Sequence, residues 1–455
     1  MGRAGKFTTG STMRHVVVMT LTGSLGLSVL FLVDFLALWW ISQLGDEALV
    51  AAVGFGATLQ FFLISISVGM MIAAVALVSR ALGRGDSREA GRIATATLLY
   101  GVAVQMVIAV LIVLFARPLL VVSGAGGEVL DEAVRFLRIG APSLPLLALG
   151  IGTSAVLRAA GEAWRAMFVT MSAGLVAVFL DPLLIVWMGW GVPGAALAIV
   201  VSRGTMALVG LYWVAVSLKL LARPGWIDLR YFALPFLAIA VPAVITQLST
   251  PFGNWLLMRA MAPFGESAVA GLGVVLRLMI LCFGGIFALS GAIGGIIGQN
   301  YGAGLPDRVQ SAYLDALKFC ALYTGITWAL LILGADFIAA SFGLGPEGTQ
   351  VVRWFCYYGG GAFVFTGALF VSNAAFNNLG RPVWASIANW SRDGLLMGPL
   401  AFGLGAAVGA AGVIAAQVLA NVVAGAVAAW VGWRLVRRMA GARAASALDP
   451  GRAAP

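Results

Sequence analysis

Several ionisable side chains stand inside apolar runs. Asp34 lies in FLVDFLALWW, Asp181 in VAVFLDPLLIVW, Arg203 in AIVVSRGTMALV, and Asp393 follows Arg392 in ANWSRDGLLMG. Placing an aspartate at the centre of a membrane helix costs about 2.5–3.5 kcal/mol, so such residues are kept where they meet an ion, a proton or a substrate. Asp34 sits eight residues below the outer end of its run and Asp181 seven below its own, which puts both about 10–12 Å inside the outer face. Two partly desolvated carboxylates at one depth suit the uptake and release of a proton as a coupled pair. Arg203 falls at a similar depth. Its guanidinium either opposes protonation of the acids or stands where a bound cation would, and both readings stay open here.

The second half of the chain carries other polar groups in apolar runs: Gln247, Asn254, Arg277, Asn373, Asn389 and Asp393, which are candidates to line a substrate cleft. Arg392 and Asp393 are chain neighbours, and neighbours on an α-helix point in different directions. They need not neutralise each other, and the expectation is that Asp393 meets a cationic substrate or pairs with Arg277. Metal and nucleophile chemistry finds little support. Cys282, Cys320 and Cys356 are isolated, and His15 is the only histidine, so no ligand set for zinc or haem and no His-based catalysis is expected. No phosphate-binding G-x-x-x-x-G-K-[ST] occurs. The reading is of a non-enzyme with no catalytic residue, no metal and no cofactor.

The elements that hold these residues are membrane helices. The chain has 455 residues, 61% of them hydrophobic and 10% charged, with a mean hydropathy of +1.00; a soluble domain carries about 25% charged residues. Apolar runs long enough to span a bilayer fall at 16–42, 49–79, 93–115, 131–157, 165–188, 193–218, 233–262, 268–299, 312–334, 349–376, 383–404 and 408–435, and a span needs about 20 residues. The first run is too long for a signal peptide and reads as a retained helix. Arginine and lysine gather in alternate connections (Arg80, Arg84, Arg88, Arg92, Lys219, Arg223, Arg230, Arg308) and in the tail (Arg434, Arg437, Arg438), which predicts both termini in the cytoplasm. The net charge of +10 is therefore topology, not a nucleic-acid surface. Prolines 142, 145, 235, 242 and 251 are expected to kink or loosen their helices.

A repeat organises the runs. VSRALGRGD (78–86) resembles IGQNYGAGL (297–305), and VLRAAGEAW (156–164) resembles AFNNLGRPV (375–383). Gly83, Gly85 and Gly161 match Gly302, Gly304 and Gly380 at one constant offset. The fold expected is an all-α membrane protein of twelve transmembrane helices in two pseudo-symmetric six-helix bundles: an N-terminal lobe (1–219), a cytoplasmic linker (220–231), a C-terminal lobe (232–438) and a cytoplasmic tail (439–455) read as disordered. Six helices per repeat keep the lobes parallel, an architecture that suits alternating access. The acids are not duplicated, since Asn254 stands where Asp34 would repeat and Gly398-Pro399 where Asp181-Pro182 would.

LVDFLALWWISQLGDEALVAAVGFG (32–56), SAVAGLGVVLRL, IIGQNYGAG, AVLRAAGEAW and GVPGAALA resemble, in order and over nearly the whole chain, the multidrug and toxic compound extrusion (MATE) family. The resemblance implies export of amphipathic, often cationic compounds against inward H⁺ or Na⁺, with Asp34 and Asp181 at the first-lobe cation site of bacterial members. Thr250 and Ala368 stand near places where some members carry second-lobe acids, so the chain is similar to the DinF-like pattern of coupling. Ala177 and Ile199 replace an Asn and a Thr that help ligate Na⁺ in the family, which favours H⁺. The family's helix 1 proline is missing, with Gly23 and Gly26 nearby.

The expectation is a secondary active exporter in the cell inner membrane, H⁺ or Na⁺ in and organic solute out. It would be coupled through Asp34, Asp181 and Arg203, work as a monomer, and need the lipid bilayer and no nucleic acid. Two alternatives are weighed. A lipid-linked oligosaccharide flippase of the same superfamily usually has a more cationic cavity. An intramembrane aspartyl protease would use the two aspartates as a dyad, but its G-x-G-D pattern is absent.

Overall fold

Twelve rods can be traced through the computed structural model. It describes residues 5–42, 47–223 and 225–448, without the side chains at 30, 31, 34, 35, 38, 42, 47, 48, 50, 51, 55, 57, 58 and 441–448. No strand occurs among the described residues. The rods are α1 (Thr12–Ser42), α2 (Glu47–Gly83), α3 (Ser87–Val122), α4 (Gly127–Ala159), α5 (Ala163–Trp187), α6 (Gly191–Ser217), α7 (Trp226–Phe264), α8 (Glu266–Cys282 and Gly284–Gly302), α9 (Pro306–Ser341), α10 (Pro346–Asn378), α11 (382–408) and α12 (Ala410–Leu448). Nine described helices are long and apolar enough to cross a bilayer, and the bent pair forming α8 adds a tenth. With α1 and α11 these are the twelve spans expected.

Many rods change their winding on the way across. In α4 a 3₁₀ turn (Ala141–Ser143) carries Pro142. In α5 the α-helix ends at Asp181 and a π-turn (Pro182–Trp187) follows. Proline has no N–H for the i−4 carbonyl, so the ladder is free to widen to i+5, as in the bond from Met188 N–H to Leu183 O. In α11 a π-turn covers Ser391–Leu396. The two halves of α8 meet at 50°, where Phe283 stacks on Phe363 of α10 at 4.1 Å between centroids. The prolines of α7 do not interrupt it: the helix is continuous from Trp226 to Met261 through Pro235, Pro242 and Pro251. A proline removes only its own ladder bond, and in a membrane helix neighbouring groups make good the loss.

The repeat recurs in backbone detail. Gly161 and Gly380 have φ of 81° and 80°. Beside them Glu162 N–H bonds Leu157 O and Arg381 N–H bonds Phe376 O, both at 2.9 Å. These are the same left-handed helix cap, once in each repeat, and only glycine takes that φ without strain.

Contacts divide the chain into two compact units. The first holds Met1–Ser24, Ser79–Gly85 and Ile245–Pro455, and the second holds Leu25–Val78 and Asp86–Val244. This division does not follow the repeat. The second unit is built on Ile112, Leu120, Phe136, Leu144 and Ile185, with a smaller cluster of Met70, Ala73, Phe236 and Ile239.

Candidate functional site

In the second unit, α5 and α6 place Asp181 and Arg203 in the interior, 3% and 7% exposed. Close approach of these helices depends on Gly194, where a Cβ would lie 2.7 Å from Leu184 O. Asp181 is the last α-helical residue before the π-turn. Arg203 reaches α4 and α2. Its Nη1 donates to Ser143 Oγ at 2.9 Å and to Gly140 O at 3.3 Å, and its Nη2 donates to Gln60 Oε1 at 2.6 Å. The 3₁₀ turn prepares this cradle. Leu144 N–H bonds Ala141 O rather than Gly140 O, and Ser143 Oγ donates to Gly140 O at 2.6 Å. Beside Arg203, the buried Ser202 Oγ has no hydrogen-bond partner among the described residues. Asp34 belongs to α1, and its side chain lies outside the described residues.

In the first unit the structure corrects one expectation. Arg392 and Asp393 form a two-pronged ion pair, Nε to Oδ1 at 2.7 Å and Nη2 to Oδ2 at 2.8 Å, and both are buried at 5% and 3% exposure. They lie in the π-turn of α11, so the angular spacing of an ordinary α-helix does not hold, and the long arginine chain folds back on its neighbour. Asp393 therefore has Arg392 as its ion partner. A polar seam joins α11 to α7. Thr246 Oγ1 meets Ser386 Oγ at 3.1 Å, Arg392 Nη2 lies 3.5 Å from Thr250 Oγ1, and a Cβ on Gly253 would touch Asp393 at 3.0 Å. Asn254 follows Gly253 and is half-buried, as is Gln247.

The other candidates are not gathered with these by any described bond. Asn389 is buried and donates to Ala385 O of its own helix at 2.8 Å. Asn373 is half-buried, and its Oδ1 has no partner among the described residues. Arg277 is exposed in α8, eleven residues from the start of the helix at Glu266, about 16 Å along it. It has no ion pair among the described residues. No group of three or more potential metal ligands exists among them either.

Sequence reasoning missed Gln60 and Ser143. Gln60 left a signal, a lone amide in an apolar run. Ser143 left none, because its role depends on the winding of α4. A cluster in the first unit, around Phe7, was missed as well. There Phe7 N–H donates to Gln299 Oε1 at 2.8 Å, while Asn300 Nδ2 and Arg308 Nη2 donate to Phe7 O at 3.2 and 2.9 Å.

Among known proteins, the MatE family model matches the chain twice, over residues 23–183 and 242–402, two stretches in the register of the repeat. The chain is 29% identical over 400 residues to the FAD transporter of Shewanella oneidensis, covering 85% of this chain and 87% of that protein. It is 25% identical over 276 residues to the multidrug export protein MepA of Staphylococcus aureus, covering 59% of each. Its fold is similar to that of an outward-facing multidrug resistance MATE transporter of the MOP superfamily, with a TM-score of 0.87 at 23% identity over 96% of this chain and 98% of that one.

Proposed function

Because the chain belongs to the MATE family, a family of transporters and not of enzymes, we propose that it is a cation-coupled exporter of amphipathic organic solutes. The protease alternative falls with the family. The observation that carries the coupling is Asp181, a carboxylate 3% exposed at the point where α5 turns from α to π. An acid held there, with Asp34 of α1 as its partner, loads a cation from one side of the membrane and releases it to the other as the lobes (1–219 and 232–438) rock. H⁺ is favoured over Na⁺. Na⁺ wants several oxygens, and Ala177 and Ile199 offer none from their side chains. Arg203, cradled by Gln60, Ser143 and Gly140, fixes α6 against α2 and α4 and sets the local field. The protein works as a monomer in the inner membrane with both termini in the cytoplasm. One proton brought in by 100 mV supplies about 2.3 kcal/mol.

The test is efflux of ethidium from proteoliposomes under a pH gradient or a Na⁺ gradient imposed separately. The pH gradient alone should drive it. Drive by Na⁺ alone would overturn the choice of ion, and drive by neither would overturn the coupling.

A second reading concerns the substrate. Asp393 is neutralised by Arg392, while Arg277 is exposed far inside α8 without an ion pair among the described residues. An arginine at that depth avoids lipid, so it faces water and attracts anions. The likeness to an FAD transporter points the same way, to an organic phosphate in place of a cation. Efflux of FAD and of ethidium, each competed with the other, separates the two. Loss of FAD efflux alone in Arg277→Gln would favour the anionic substrate.

A further inference from the structure

Within the first unit, the ends of α2 and α8 meet backbone to backbone in a reciprocal way. A Cβ on Gly83 would overlap the Gln299 carbonyl, lying 2.8 Å from its carbon and 2.9 Å from its Cα. A Cβ on Gly302 would overlap the Arg80 carbonyl at the same 2.8 and 2.9 Å. The offset of the repeat carries Gly83 onto Gly302 and Arg80 onto Gln299, so each contact is the image of the other. The third contact maps onto itself: Ser79 faces Gly298, where a Cβ would lie 2.9 Å from Ser79 Cβ. A local two-fold axis therefore passes through this crossing. Small residues let two backbones approach so closely, as in membrane helix dimers.

The crossing is buried and braced. Ser79, Gln299, Asn300 and Asn378 are at most 2% exposed, and Arg80 Nη2 donates to Asn377 O at 2.8 Å. Residues 5–12, which lead into α1, lie over it. Besides the three bonds to Phe7, Arg308 Nη1 donates to Gly10 O at 3.0 Å, and Thr12 Oγ1 donates to Asp315 Oδ2 at 2.5 Å.

We propose that this glycine crossing, strapped by residues 5–12, is the seal on its side of the membrane, and that it must part in every transport cycle. The proposal rests on alternating access but not on the coupling acids. Each side must open in turn, and a contact between backbones from both repeats cannot persist while that side is open. The glycines that recur at equivalent places in the two repeats are then explained by their meeting each other, since any larger side chain at 83 or 302 would hold the ends apart.

The test joins the crossing covalently. In a background with Cys282, Cys320 and Cys356 changed to Ser, Ser79→Cys with Gly298→Cys should form a disulfide on oxidation after a shift of about 1 Å. Ethidium counterflow without any ion gradient should then stop and return on reduction. The recovery excludes misfolding, and the absence of a gradient keeps the result separate from the coupling acids. Failure to cross-link, or undiminished counterflow when cross-linked, would overturn the proposal. In the same background Thr20→Cys, wholly buried eight residues into α1, reports leakage. Gly83→Leu should raise its labelling by an impermeant maleimide from the side of the crossing by at least about tenfold, the expected mark of a shifted population. Unchanged labelling would also count against the seal.

Discussion

The buried pair Arg392–Asp393 shows how a charge survives inside the first unit. Both carboxylate oxygens accept from one guanidinium, and removing either partner leaves the other buried and uncompensated. That typically costs about 3–5 kcal/mol, whereas replacing both by apolar groups of similar volume is often neutral. Asp393→Asn and Arg392→Met should each lower the melting temperature of the purified protein, and Arg392→Met with Asp393→Leu should restore most of it. If the double variant melts as low as the worse single, the pair has another role. At this scale the sequence was partly legible. An aspartate in an apolar run announces itself, as Asp181 and Asp393 do. Which residue neutralises Asp393 depended on the winding of six residues, Ser391–Leu396, and no pattern of hydropathy reports a π-turn. The same holds for Arg203, whose acceptor Gln60 stands out in its apolar run, while Ser143 and Gly140 are presented only by a 3₁₀ turn.

Among the elements, the spans and their order were readable because about twenty apolar residues can do little else. Breaks within them were not. The three prolines of α7 leave a continuous helix, while α8 bends by 50° beside Phe283 with no proline there. The glycine caps were legible as a repeat, and the structure supplies their cause in φ of 81° and 80° at Gly161 and Gly380. An L-residue in that conformation costs about 1–2 kcal/mol. Gly161→Ala and Gly380→Ala should each lower the melting temperature, and by similar amounts. Gly101, in α3 with room for a Cβ 3.8 Å from Ala148 Cβ, should gain stability when changed to Ala, by about 1 kcal/mol. A thermal melt of the three variants checks the contrast, and a stabilising Gly380→Ala would contradict it.

For the whole molecule, the duplication was visible in the constant offset of the glycines and recurs in two family matches. What it could not convey is that copies of one motif touch. The contact units split α1 between Ser24 and Leu25 and α7 between Val244 and Ile245, equivalent places in the two repeats, so each unit combines pieces of both. In the proposed transport cycle the energy input falls to one repeat only, since Asp34 and Asp181 have Asn254 and Gly398 as counterparts. The most direct measurement is therefore ethidium efflux by Asp181→Asn in proteoliposomes under an imposed pH gradient, set beside counterflow without a gradient. The variant should keep counterflow near the wild-type rate and lose the pH-driven accumulation. Accumulation equal to wild type would show that the proton does not ride on Asp181.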